Sequence, residues 1–137
     1  MHLKTFCALV AVALALSACN KSQSPAEVQQ DVAKAEAEGQ RKVADAKADA
    51  QKDVADADQK VAKAIADHDE DAVAAKAHDA NETADESKSK IVIAQAEADH
   101  KVAVAKCEAL EGSAQRDCKD RADRTLDQAK QSAKTNP

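Results

Sequence analysis

Residues 31–66 read DVAKAEAEGQRKVADAKADAQKDVADADQKVAKAIA, and this stretch decides the secondary structure of the chain. A Val-Ala or Ile-Ala pair recurs every eleven residues, beginning at Val32, Val43, Val54 and Ile65. Because eleven residues advance an α-helix by about three turns, these positions share one helix face. Small and apolar residues at steps of three and four complete the stripe: Val28, Val32, Ala35, Gly39, Val43, Ala46, Ala50, Val54, Ala57, Val61 and Ala64. The pattern predicts an α-helix with one apolar face.

This helix is predicted to begin at Pro25 and to continue to residue 111. Ser24-Pro25-Ala26-Glu27 matches a capping box with proline at the first helical position. The eleven-residue repeats cover residues 31–74, and at 1.5 Å per residue a single helix over 25–111 would be about 130 Å long. Residues 76–90 contain no Val, Ile, Leu or Met, and we expect any bend there.

The composition favours an all-α fold without a large core. Phe6 is the only aromatic residue of the 137, and Ala dominates the apolar content. Burial of Ala gains much less than the roughly 1.5–3 kcal/mol of a buried Leu or Phe. The net charge is −5 with interspersed signs, which argues against a nucleic-acid partner. No catalytic triad or phosphate-binding loop is recognisable, so we expect no enzyme activity, cofactor or small-molecule substrate.

A second, shorter helix is predicted over 112–134, followed by a tail at 135–137. Residues 91–110 carry two apolar stripes, interpreted as adjacent, which require a partner helix: Ile91, Ala94, Ala98, Val102, Ala105 and Ala109, and Val92, Ala96, Ala103, Cys107 and Leu110. Gly112 can take the left-handed conformation that ends a helix, and Ser113 can cap the next. The facing stripe is Ala114, Cys118, Ala122, Leu126, Ala129 and Ala133.

Two cysteines lie almost symmetrically about this predicted turn. Cys107 is five residues before Gly112 and Cys118 is six residues after it. Positions equidistant from the turn of an antiparallel hairpin face each other, so we expect a disulfide in an oxidising compartment. The long spacing is unlike a CxxC redox centre, and no second Cys or His pair has metal-ligand spacing.

The histidines offer only a weak alternative site. His68 and Asp71, and His78 and Glu82, have spacings that place each pair on one helix face, where a divalent metal could bind. The two pairs do not converge on a single helix, so we interpret them as a solvated charged face and expect no metal site.

The N-terminus indicates export. Lys4 precedes an apolar run of about 11 residues, too short for the ~20 that span a bilayer. Leu16-Ser17-Ala18-Cys19 resembles the lipobox of bacterial lipoproteins, although an ordinary signal with a chance cysteine is the alternative. The resemblance implies removal of residues 1–18, lipidation of Cys19 and a tether over 19–24. Asn20 resembles the sorting signal of lipoproteins in the outer membrane, facing the periplasm.

Two further resemblances bear on function. The repeats are similar to those of late-embryogenesis-abundant proteins, and residues 105–121 resemble small Ala/Lys-rich exported proteins of proteobacteria loosely labelled TolA-like. We therefore expect a non-enzymatic lipid-anchored envelope protein acting as a spacer, scaffold or stress-related surface protein. The alternative is a binding module whose C-terminal hairpin docks onto an envelope protein. The expected partners are the membrane, through the lipid, and an envelope protein or a second copy of the chain.

Overall fold

The computed structural model describes residues 22–135, which form three α-helices and no strand. Helix α1 comprises Pro25–Ala66, α2 Glu70–Cys107 and α3 Gly112–Thr135. The all-α prediction is confirmed. The lipobox residues Leu16, Ser17, Ala18 and Cys19 lie outside the described residues, so their assignment stays a prediction.

The prediction of one helix over residues 25–111 is wrong, because the chain reverses at Asp67–Asp69. His68 takes the left-handed conformation, with φ of 53°. Its N–H donates to the Ile65 carbonyl at 3.1 Å, and the Asp69 N–H donates to the Ala64 carbonyl at 3.2 Å. This pair of hydrogen bonds is the Schellman motif, which satisfies the last carbonyls of a helix. His68 therefore occupies the position after the end of α1 where glycine is the usual residue.

The next helix is capped at once by an acidic sequence. The Asp69 carboxylate accepts a hydrogen bond from the Ala72 N–H at 2.9 Å, and Glu70 and Asp71 occupy the first turn. Negative charge is favourable at a helix N-terminus, where the helix dipole is positive. Residues 76–90, where any bend was expected, lie within α2, which continues unbroken through them.

Helices α1 and α2 pack antiparallel along the stripe of eleven-residue repeats. Every member of that stripe is buried or half-buried, so the predicted apolar face of α1 is the face that contacts α2. The two helices approach closely at Gly39, where an added Cβ would lie 2.6 Å from the Cβ of Ala98. Ala50 on α1 and Ser87 on α2 are also buried. Small side chains allow the two backbones to come close over a long contact.

Helix α2 is the middle element of a flat, three-helix layer. It contacts α1 and α3, whereas α1 and α3 do not contact each other within residues 22–135. The two apolar stripes of residues 91–110 explain this layout. At about 100° per residue they lie roughly 145° apart, on nearly opposite faces of α2, and are not adjacent as predicted. Ala98 packs towards α1, and Ala103 faces α3.

The second turn lies close to its predicted place. Helix α2 ends at Cys107, four residues before the predicted end at Glu111, and α3 begins at Gly112. Gly112 has the expected positive φ, 58°. Ser113 lies within α3 rather than capping it, and α3 includes Thr135, which was predicted to belong to the tail.

Candidate functional site

The turn between α2 and α3 is closed by a disulfide between Cys107 and Cys118. Their Cα atoms are 5.7 Å apart, within the range a disulfide requires. Cys107 is buried, with 1% of its surface exposed. The bridge thus joins the last residue of α2 to the second turn of α3, where the predicted pairing placed it.

The N-terminal segment returns to this same turn. The Gln23 N–H donates to the Glu108 carbonyl at 2.9 Å, and the Ser22 hydroxyl donates to Glu111 Oε1 at 2.8 Å. The hydrogen bonds from the Ser22 hydroxyl and N–H lower the pKa of Glu111. The predicted tether is therefore held, at residues 22 and 23, against the disulfide turn.

A groove of about 420 Å³ runs between α2 and α3 beside the disulfide. Its floor consists mainly of small apolar side chains from both helices: Ala96, Ala103, Ala122, Leu126 and Ala129. His100 lies at its edge, with Nε2 2.6 Å from Oδ1 of Asp123 on α3. The groove is open and mainly apolar, and the contact between His100 and Asp123 joins its two walls.

Four ion pairs cross between helices on one side of the layer, which we call the ladder face. The lysines of α2 pair with acids of α1: Lys90 with Asp53 at 3.5 Å and Lys101 with Glu38 at 3.0 Å. Glu97 of α2 pairs with Lys130 of α3 at 2.8 Å, and Glu108, the C-cap residue of α2, pairs with Lys119 of α3 at 2.7 Å. On the ladder face the lysines of the middle helix pair with α1 and the glutamates pair with α3. The charges therefore favour α1 on one side of α2 and α3 on the other.

These pairs also change the acidity of two carboxylates. The side-chain hydrogen bond from Lys101, together with its charge, lowers the pKa of Glu38. The hydrogen bond from Lys130 is the main cause that lowers the pKa of Glu97, against a smaller opposing effect of burial. Both carboxylates therefore remain charged, and paired, to a lower pH than free glutamate does.

The histidine positions considered in the sequence are separated in the fold. His68 forms the α1–α2 turn, and the Nε2 of His78 lies 3.6 Å from Oε1 of Glu82 on the exposed surface of α2. Among residues 22–135, no three His, Cys, Asp or Glu side chains are grouped as a metal site. The interhelical contact of His100 with Asp123 was missed, because its partner is 23 residues away in sequence.

Comparison with known proteins adds no relative. The chain matches no protein-family model, no curated protein and no solved structure. In the described part of the chain, no helix has the length and apolar character needed to cross a membrane.

Proposed function

We propose that this chain is a non-enzymatic, lipid-anchored helical protein of the cell envelope that acts as a short spacer or scaffold. One observation supports it most directly: Ser22 and Gln23 are bound to the disulfide turn, three residues after the lipobox cysteine. Three residues span about 10 Å at most. A lipid on Cys19 would therefore hold the disulfide end of the layer next to the membrane.

The fold sets the reach of such a spacer. Helix α1 has 42 residues, which at 1.5 Å per residue extend about 63 Å from the anchored end. The turn at Asp67–Asp69 is then the part farthest from the membrane. This reach is about half of that expected for the single helix, and the returning α2 gives the projection lateral stiffness.

The distribution of polar groups supports a structural role over catalysis. The described interhelical ion pairs lie on the surface of the layer and join helices. The α2–α3 groove is lined mainly by alanine and opens to solvent. Catalysis needs reactive groups gathered in a site that excludes water. These surfaces suit packing against another macromolecule better.

Intact mass spectrometry of the chain purified from the envelope tests the anchor. The expected product begins at Cys19 and carries acyl chains, and a Cys19→Ala variant should leave the membrane fraction. The Cys7→Ala variant is the matched control, because it changes a cysteine in the segment that should be removed. Its product should have the same mass as that of the parent chain. An unmodified Cys19, or cleavage at another site, would contradict the proposal.

A binding module remains the second candidate, favoured by the groove between α2 and α3. Its small, apolar floor beside His100 could accept a segment of an envelope protein. Crosslinking in cells, followed by identification of peptides joined to α3, separates the two functions. Reproducible crosslinks from Lys119 or Lys130 to one partner would favour the module, and their absence would favour the spacer.

A further inference from the structure

Two connected grooves run along the side of the α1–α2 pair opposite the ladder face. The first is lined by Glu36, Gln40, Val43, Gln95 and Asp99 among others, and the second by Gln51, Val54, Asp58, Lys88 and Ile91 among others. Lys47 lines both grooves, so they form one continuous surface. We call it the banded face.

Charge on the banded face alternates along the helices. On α1 the charged lining residues are Glu36, Lys47 and Asp58, each eleven residues from the next. On α2 they are Lys88 and Asp99, again eleven residues apart. Eleven residues correspond to about 16.5 Å along a helix. Uncharged residues lie between these positions, so the bands are discrete.

Like charges face each other across the grooves. Glu36 and Asp99 line the first groove together, and Lys47 and Lys88 line the second together. One acidic band is thus followed by one basic band about 16.5 Å away. The ladder face has the reverse arrangement, with opposite charges paired across each helix contact. On the banded face Lys88 pairs only with Asp85 on its own helix, and Glu36, Lys47 and Asp58 form no ion pair within residues 22–135.

Two exposed large apolar side chains lie on the same side of the molecule. Ile65 on α1 is 57% exposed and follows Asp58 by seven residues. Val92 is 49% exposed and follows Lys88 by four residues. These spacings place each of them on the helix face of its charged neighbour. The banded face therefore combines apolar and charged groups that α1 and α2 leave without an interhelical partner.

We infer that the banded face binds a second copy of this chain, face to face, with the copies related by a two-fold axis. The axis crosses the helices at right angles, midway between Glu36 and Lys47 on α1. Helix α1 then packs antiparallel on its counterpart, and α2 does the same. Glu36 of each copy meets Lys47 of the other, and Asp99 meets Lys88. The disulfide turns of the two copies then lie at opposite ends of the dimer, so this inference is an alternative to the upright, membrane-anchored arrangement and does not rest on it.

The charges select this axis over the alternative. A two-fold axis parallel to the helices would place each band opposite a band of the same sign, which is unfavourable. With the perpendicular axis, Val43 and Val92 lie beside the axis and the charged bands flank them. This is the arrangement of an apolar centre with a polar rim that is typical of protein interfaces.

The area of contact predicts a weak dimer. With the axis midway between Glu36 and Lys47, the part of the banded face that meets its own copy extends about 16.5 Å along α1, and two neighbouring helices are about 20 Å wide. The product, roughly 330 Å² per copy, is below the ~800 Å² that each partner contributes to a standard interface, so we expect a transient association. Both copies offer the same patch, as a two-fold interface requires.

Zero-length carbodiimide crosslinking of the full chain tests this interface directly. The reagent joins a carboxylate to an amine in contact, and Glu36 and Lys47 of one chain are about 16.5 Å apart along a straight helix. A Glu36–Lys47 product must therefore come from two chains, and mixed isotope-labelled and unlabelled chains will verify this. We expect Glu36–Lys47 and Asp99–Lys88 products. The Glu38–Lys101 pair, at 3.0 Å within one chain, is the internal positive control.

Charge exchange then tests the register. Glu36→Lys or Lys47→Glu alone should weaken association on the order of tenfold in sedimentation velocity, because each creates two like-charge contacts per dimer. Combining both changes should restore it, because position 36 faces position 47 of the other copy. Asp49→Lys, an equal change in charge on α1 away from both grooves, should have little effect. A monomeric parent chain, absence of both crosslinks, or failure of the double variant to recover would overturn the inference.

Discussion

The two hairpins of this molecule are closed by different means. The α1–α2 hairpin is long, turns on a non-glycine residue with positive φ, and has no disulfide. The α2–α3 hairpin is shorter, turns at Gly112 and is tied by Cys107–Cys118. With few large apolar side chains available, stability must come either from an extended close approach of small residues or from a covalent bond. The longer interface uses the first device and the shorter one uses the second.

Removal of the disulfide should have the largest effect, confined to the second hairpin. In the chain-entropy model, a bridge closing a loop of this size stabilises by about 2–3 kcal/mol. We expect the Cys107→Ser, Cys118→Ser double variant to lose amide protection throughout α3. Hydrogen exchange measured residue by residue should show little change in the part of α1 and α2 between Gly39 and Ala98. Strong amide protection of α3 in the variant would contradict this, because it would show that noncovalent packing holds α3 in place without the disulfide.

The first hairpin should be sensitive to substitution of Gly39, where α1 and α2 approach closely. A methyl group at Gly39 would lie 2.6 Å from the Cβ of Ala98, so the helices must move apart. We expect Gly39→Ala to lower the free energy of unfolding by about 1–2 kcal/mol, although alanine favours the helix. Urea denaturation measures this change. Adding Ala98→Gly to this variant should recover most of the lost stability, because it removes the methyl group that clashes. An equal loss in the single and the double variant would contradict the close contact between Gly39 and Ala98.

Substitutions in the two turns should have effects of opposite sign. His68 and Gly112 both have positive φ, which costs a non-glycine residue on the order of 1 kcal/mol. His68→Gly should therefore raise the free energy of unfolding by up to about 1 kcal/mol, and Gly112→Ala should lower it similarly. Thermal unfolding of the two variants checks this. A stabilising Gly112→Ala variant would be inconsistent with the second turn.

Acid should weaken both hairpins slightly. The hydrogen bonds from Lys101 and Lys130 lower the pKa values of Glu38 and Glu97 in the folded chain. Because the pKa of each carboxyl is lower in the folded chain than the unfolded value near 4.5, its ionisation stabilises the folded chain above that pH. This contribution to the free energy of unfolding is lost as the pH falls through the folded-state pKa. Both carboxylates are partly exposed to solvent, so the effect should be the smallest of these. Glu38→Gln and Glu97→Gln should each flatten the fall in stability below pH 4.5, and an unchanged profile in both would contradict the pairing.

The sequence reveals the second hairpin more readily than the first, for a physical reason. Gly112 and the two cysteines are strong local signals, and both lie where the symmetry argument predicts. The turn at Asp67–Asp69 contains no glycine or proline. Its local signal is Asp69 followed by two acids, which is typical of the start of a helix. No equally clear signal after Ile65 indicates that the preceding helix ends. Histidine tolerates positive φ only modestly better than most residues, so tertiary packing decides the reversal.

The packing surfaces were only partly predictable. The stripe from Val28 to Val61 identifies the contact face of α1 because a single period runs through it. The same stripe does not identify the partner helix, because the partner is determined by where the chain turns. On α2 the sequence shows both stripes, but the prediction that they are adjacent is wrong, because each stripe packs against a different helix. The contact between His100 and Asp123 follows from that arrangement and has no local signal.

The most direct test of the fold-back is a distance between α1 and the end of α2. Spin labels on non-cysteine amino acids at Lys34 and Lys106, both exposed, leave the disulfide intact. Dilution with unlabelled chain removes distances between copies. If α2 returns along α1, the labels should be about 20–30 Å apart, as expected for neighbouring helices with flexible labels. A single helix through residues 34–106 would separate them by about 108 Å, and the absence of a short distance would contradict the account.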